Sequence, residues 1–173
     1  VYRDADAMHQ SVESLVASTY ENLAVTVVPE PDDDASRDRA ADLAASHDAV
    51  SVLVNETHQG SKAGALNAAI EASDADVFAL FDADQTVDRK LVAHAVASLD
   101  EADIARVRSL PDPSGGWLES MVYYEYLLLF FLPQKLVKFL LGLEFAGTRS
   151  VLVRRSVFDE VGRFAEGHLA EDL

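Results

Sequence analysis

Cysteine is absent from the 173 residues, which excludes disulfides, thiolate ligands and thiol nucleophiles without fixing the compartment. Lysine is nearly as scarce, with four residues, at 62, 90, 135 and 138. Basic side chains number 14 against 30 acidic ones, a formal net charge of −16. Such a surface as a whole repels phosphate backbones and anionic lipid, so no nucleic-acid partner is expected. Carboxylate-rich, lysine-poor surfaces suit high-salt cytoplasm, where screening relieves self-repulsion, and a halophilic source is the expectation. Long apolar runs are missing too. The most apolar region, residues 117–143, is interrupted by Pro133, Gln134, Lys135 and Lys138. It holds no clean span of about 20 apolar residues. Internal repeats and low-complexity segments are absent, and the five histidines show no ligand spacing and read as surface residues. The chain is one domain's worth of sequence; starting on Val1 and stopping on Leu173, it reads as a fragment. A missing signal peptide or anchor therefore carries no weight.

What is present is a regular alternation. Met8, Val12, Leu15 and Val16 recur at helical spacing, and Val25 to Val28 reads as a strand closed by Pro29-Glu30-Pro31. Residues 37–46 are helix-forming, and Val50 to Val54 is a second strand. A helix over 63–72 follows, with Ala65, Leu66, Ala69 and Ile70 expected in the core. Next come a strand over 77–81, a helix marked by Leu91, Val92, Ala95, Val96 and Leu99, and a short strand over 104–107. The pattern predicts an α/β domain with a mainly parallel sheet. After the loop at 111–116, Trp117 to Leu143 reads as two helices broken at Pro133, either packed on the sheet or lying at a membrane surface. Trp117 fits a core anchor or a sugar-stacking platform. Val151 to Val153 is one more strand, and Ser156 is placed to cap a helix through Val161, with Gly162 just past its end.

The sharpest chemical signal is Asp82-Ala83-Asp84, immediately after the apolar run 77–81. A strand ending in Asp-x-Asp presents two carboxylates at the carboxyl edge of a sheet, where open α/β folds bind ligands. Hard divalent cations such as Mg²⁺ take carboxylate oxygens together with substrate phosphates. Lys62 leads a helix whose first turn contains Gly64, so it brings a cation and backbone N–H groups to the same region. The run Asp32-Asp33-Asp34 follows a strand and reads either as a ligand contact or as a helix N-cap with surface acidity. Asn67 is placed to cap or to hydrogen-bond a neighbouring loop, and Arg154 and Arg155 to reach a phosphate or to sit among surface carboxylates.

Five segments occur in order: Asp33-Asp34-Ala35-Ser36-Arg37-Asp38, Lys62 to Asn67, Asp82-Ala83-Asp84, Phe145-Ala146-Gly147-Thr148 with Arg154-Arg155, and Glu171-Asp172-Leu173. Together they resemble the family 2 inverting glycosyltransferases with a GT-A fold, in the flavour of cellulose-synthase-like β-glycan synthases. Val1-Tyr2-Arg3-Asp4 resembles the tail of that family's first strand. The resemblance implies a Rossmann-like three-layer α/β/α domain over 1–173. Residues 1–110 would bind the nucleotide sugar, and 111–173 would form an acceptor-side half truncated at its end. It implies Mg²⁺ or Mn²⁺ on Asp84 and Asp82, donor contacts from Asp33, Asp34, Lys62, Asp82 and Glu171, and Asp172 as catalytic base. Phe145 to Thr148 would line the acceptor pocket. The donor would be a nucleotide diphosphate sugar, the acceptor a glycan, lipid or protein-linked hydroxyl, and the process polysaccharide biosynthesis. The parent would work at the cytoplasmic face of the cell membrane, the fragment itself being soluble. Ala35 stands where the family usually has Gly and Ala170 where it usually has Thr. A Gln-x-x-Arg-Trp signature is absent, so these residues alone are not expected to form a competent synthase.

Two other readings stay open on sequence. Asp82-Ala83-Asp84-Gln85-Thr86 also matches the Asp-x-Asp-x-Thr of haloacid-dehalogenase-like Mg²⁺ phosphatases, with Asp82 as nucleophile. That signature normally follows the first strand of its domain, and here two strand–helix units precede it. The other is a non-catalytic sugar-nucleotide-binding or scaffold domain that docks a partner or membrane through residues 117–143.

Overall fold

A computed structural model describes residues 1, 5–56, 60–111, 113–142 and 150–166, without the side chains of 130 and 131. It divides into two compact units, one of residues 1–107 with 148–172 and the other essentially residues 108–147. Residues 150–166 thus fold with the first unit rather than with 111–142.

In the first unit the elements follow the hydrophobic periodicity closely. They are α1 (Ala5–Val16), β1 (Val25–Val27), α2 (Asp34–Ser46), β2 (Val50–Val52), α3 (Lys62–Glu71), β3 (Val77–Leu80), α4 (Leu91–Ser98), β4 (Ile104–Arg106), β5 (Val151–Arg154) and α7 (Arg155–Val161). β1 and β2 pair in parallel, Val25 opposite Val50. The backbone of Val1 extends this ladder: its N–H donates to Val28 O at 2.6 Å, and Glu30 N–H donates to Val1 O at 3.3 Å.

The second sheet runs β3-β5-β4, and β5 is antiparallel to both neighbours, so β3 and β4 point the same way. β5 is buried on both faces. Val151 and Val153 pack with Phe78, Leu80 and Ile70, while Leu152, at 0% exposure, packs with Ala95 of α4 and Leu99 at its C-cap. Helices on both sides of a sheet make the α/β/α layering expected of the alternating sequence. A separate apolar cluster joins Met8, Val12 and Leu15 of α1 to Val25 and Val27, with Ala40 and Leu43 of α2.

Several expectations shift in detail. α3 buries Ala63, Gly64, Asn67, Ala68 and Ile70, so its inward face is turned from the one expected, and Ala65 and Leu66 are only half-buried. Ser156 does not cap α7: Arg154 is the N-cap and gives no side-chain bond, whereas Gly162 does end the helix at φ +94°. Among the described contacts, Arg154 and Arg155 meet backbone carbonyls rather than carboxylates. Arg154 donates to Leu99 O at 2.6 Å, and Arg155 donates to the carbonyls of Ala75 and Ser73 while lying 4.9 Å from the Phe78 ring centroid. Both arginines satisfy loop carbonyls beside β5.

The second unit, taken by itself, holds a 3₁₀ turn (Pro113–Gly115), α5 (Trp117–Tyr126), a π-helical stretch (Leu127–Phe131) and α6 (Leu132–Leu141). The helix does not break at Pro133. The irregularity lies before it, where Leu132 N–H bonds to Leu127 O in the wide π pattern. A proline ring inside a helix clashes with the carbonyl four residues earlier, and a widened turn there relieves the clash. Trp117 is 76% exposed, so it is not the core anchor that its size suggested.

Asn67 is the long-range tie of the first unit. Its amide donates to Phe164 O at 2.9 Å and Glu166 Oε1 at 2.7 Å and accepts from Phe164 N–H at 3.1 Å. Asn67→Ala removes these bonds from the part-buried Phe164 backbone and should cost about 0.5–1.5 kcal/mol. Urea denaturation checks this, and an unchanged midpoint would deny Asn67 that role.

Candidate functional site

The first unit contains a cleft of about 1000 Å³. Its floor is apolar, formed by Val12 and Leu15 of α1, Val25 and Val27 of β1, and Leu66 of α3. Its polar lining is Glu30 and Asp32 after β1, Gly60, Ser61 and Lys62 at the start of α3, and Asp82 and Asp84 after β3. Two strand ends and one helix N-terminus therefore meet at one opening, the place where an α/β sheet receives ligands.

Lys62 and Asp82 form the central contact. Lys62 Nζ donates to Asp82 Oδ1 at 2.5 Å, with side-chain exposures of 33% and 24%. Ser61 caps α3 by accepting from Gly64 N–H at 2.9 Å, which holds the first turn and hence the stem of Lys62. On the other side a small network fixes the acidic turn. Gln85 Oε1 accepts from Asp82 N–H at 3.3 Å and from the Ser150 hydroxyl at 2.7 Å, and Gln85 N–H donates to Asp82 O at 3.2 Å. Ser150 has φ +51°, the left-handed region that non-glycine residues rarely adopt. Asp82 is thereby held in place, while Asp84, two residues on, is exposed on the cleft.

Among the described residues no group of three or more His, Cys, Asp or Glu side chains is arranged to hold a metal ion. Two carboxylates beside an open cleft suit a hard divalent cation that completes its shell with water and phosphate oxygens. Asp82 and Asp84 fit that requirement in donor type and placement.

The acidic run after β1 is divided between tasks. Asp33 is buried at 8% and is the N-cap of α2, its carboxylate accepting from Ser36 N–H at 3.2 Å. Asp34 lies in the first turn of α2, its side chain 89% exposed and paired with Arg37 at 3.1 Å. The cleft is lined instead by Asp32 and Glu30. Glu30 is 9% exposed and accepts from Asn55 Nδ2 at 2.8 Å and from Gly60 N–H at 3.2 Å. Gly60 makes that contact at φ +86°, a conformation that favours glycine. Ala35 sits inside α2, where no positive φ is required, so the missing glycine costs nothing there.

Glu30, Gln85 and Ser150 were not singled out in the sequence. Glu30 carried one signal, an acid held between two prolines at a strand end. Gln85 and Ser150 lie 65 residues apart and carried none. Glu171, Asp172, the segment 145–148 and residues 2–4 lie outside the described residues.

Residues 1–162 match the family model described as Glycosyl transferase family 2, and the chain belongs to that family. Its fold is the GT-A fold. PcManGT, a mannosyltransferase from Pyrobaculum calidifontis solved with GDP-Man and Mn²⁺, superposes with TM-score 0.70 at 19% identity, over 99% of this chain and 47% of that one. TarS 1-349 from S. aureus gives TM-score 0.67 at 15% identity, over 99% of this chain and 50% of that one. Mannosyl-3-phosphoglycerate synthase from Rubrobacter xylanophilus gives 0.56 at 17%, over 91% and 52%. The chain spans about half the length of these solved proteins. No curated protein sequence matches it. With the family shown, the haloacid-dehalogenase-like reading of Asp82 is set aside.

Gln85→Ala removes the acceptor shared by Asp82 N–H and the Ser150 hydroxyl. The unfolding free energy should fall by about 1–3 kcal/mol in urea denaturation. An unchanged value would show that the turn is held by other contacts.

Proposed function

We propose that this chain is the donor-binding part of a glycosyltransferase that moves a sugar from a nucleotide diphosphate donor to an acceptor hydroxyl with inversion. The observation that carries the reading is the polar lining of the cleft, where Asp82 and Asp84 stand beside Lys62 at the N-terminus of α3. A divalent ion, Mg²⁺ or Mn²⁺, would be held by Asp84 and Asp82 and would supply Lewis-acid stabilisation of the departing diphosphate. Lys62 adds a second positive charge at the same edge, and the N-terminus of α3 adds backbone dipole. Asp32 and Glu30 line the β1 side of the cleft, where a carboxylate accepts hydrogen bonds from ribose or base; Asp33 and Asp34 support that side through the cap and first turn of α2. The apolar floor lets a planar base displace water from Val25, Val27 and Leu66.

By the family resemblance, Asp172 takes the proton of the attacking acceptor hydroxyl and Glu171 assists at the donor, as a one-step inversion requires a base on the acceptor side. Motif order supports a β-glycan-synthase kind of enzyme, with a glycan, lipid or protein-linked acceptor and a parent protein at the cytoplasmic face of a membrane. PcManGT was solved with GDP-Man and TarS also with UDP-GlcNAc, so both GDP and UDP are donor nucleotides to test.

Calorimetric titration of GDP and UDP, with and without Mn²⁺, tests the donor site on the wild type and on Asp84→Ala. Metal-dependent binding of one nucleotide, at least about tenfold weaker in the variant, is expected. Failure of both nucleotides to bind the folded protein with Mn²⁺ present would sink the reading. In the longer parent protein, Asp172→Asn should lower turnover by about 10²–10⁴-fold while donor affinity stays the same. Unchanged turnover would remove Asp172 as the base and leave a non-catalytic domain in play.

A further inference from the structure

α6 is amphipathic in a way that the rest of this acidic chain is not. At 100° per residue, Leu132, Leu136, Phe139 and Leu140 fall on one arc, and Gln134, Lys135 and Lys138 on another. The apolar arc is solvent-exposed, with Phe139 at 84% and Leu140 at 64%. Lys135 and Lys138 are exposed as well and are two of the four lysines in the chain. Residues 126–143 contain no acidic side chain, although the whole sequence carries 30. No helix among the described residues is long and apolar enough to cross a membrane.

We propose that α6 lies in the plane of an anionic lipid surface. Leu132, Leu136, Phe139 and Leu140 would enter the headgroup–acyl boundary, with Lys135 and Lys138 against lipid phosphates. A helix with an aromatic and leucine arc opposite a lysine-bearing polar arc is the form that binds such a surface. The acid-free stretch lessens, within about a Debye length, the repulsion that the net charge of −16 imposes, and each lysine near the surface adds attraction. Lipid phosphate accounts for both arcs together. The inference rests on this helix and not on sugar transfer, so it survives failure of the donor titration.

Flotation with phosphatidylglycerol-containing vesicles, against vesicles of phosphatidylcholine alone, tests it on the 173-residue chain in a salt where circular dichroism shows it folded. The wild type should float with the anionic vesicles, less so as salt rises, and stay behind with the neutral ones. Lys135→Gln with Lys138→Gln should weaken binding about thirtyfold. Phe139→Ser should weaken it about tenfold or more. Phe139 is exposed, and circular dichroism of each variant checks that the fold is kept. Absence of flotation with anionic vesicles would overturn the proposal, as would binding that the lysine variants leave unchanged. A dimer in sedimentation that Phe139→Ser abolishes, without vesicle binding, would assign the face to a second copy instead.

Discussion

β5 is the constraint on which the site depends. It runs antiparallel between β3 and β4 and buries side chains on both faces, so a one-residue slip would exchange Leu152 with Val151 and Val153 between two differently packed clusters. That register places Ser150 beside Gln85, and Gln85 in turn holds the peptide of Asp82. The left-handed backbone of Ser150 is a local cost of order 1–3 kcal/mol, which the strand on its C-terminal side and the Gln85 contact over-determine. The aim of the acidic turn is thus set by a strand that enters the chain 65 residues later.

The Lys62–Asp82 pair places a cation on the cleft of an otherwise acidic protein. With both side chains partly exposed, the pair adds little to stability, about 1 kcal/mol or less. Its importance is positional. In a chain of net charge −16, a lysine kept on a cleft beside carboxylates makes the local potential there less negative. The same logic separates the acids after β1. Asp33 stabilises a helix start, Asp34 pairs on the surface, and Glu30 is enclosed by Asn55 and Gly60. One acidic run serves three environments because the chain turns through Pro29 and Pro31 as it leaves the strand.

Legibility in the sequence followed locality. Every strand and helix of the first unit appears where apolar spacing put it, within a few residues, because period 2 and period 3.6 patterns are set by neighbours in sequence. The order Lys62, Asp82, Asp84 was readable for the same reason: each stands at an element boundary that local residues define. The face of α3 was misjudged because Asn67 is buried by a loop 97 residues away, and no periodicity registers that. Proline 133 was read as a break since its ring forbids a regular turn; the chain widened the preceding turn instead.

The sequence by itself determined the α/β class, the element order, the acidic surface and the places of Lys62, Asp82 and Asp84 at element boundaries. All of these follow from local spacing and composition. Only the tertiary structure decided that Asp32 and Glu30, rather than Asp33 and Asp34, line the cleft, that Arg154 and Arg155 close loops, and that Gln85 and Ser150 hold the Asp82 turn. Those assignments depend on which polar group is left without water when distant segments pack, and a buried hydrogen-bonding group takes whichever partner the fold brings within about 3 Å.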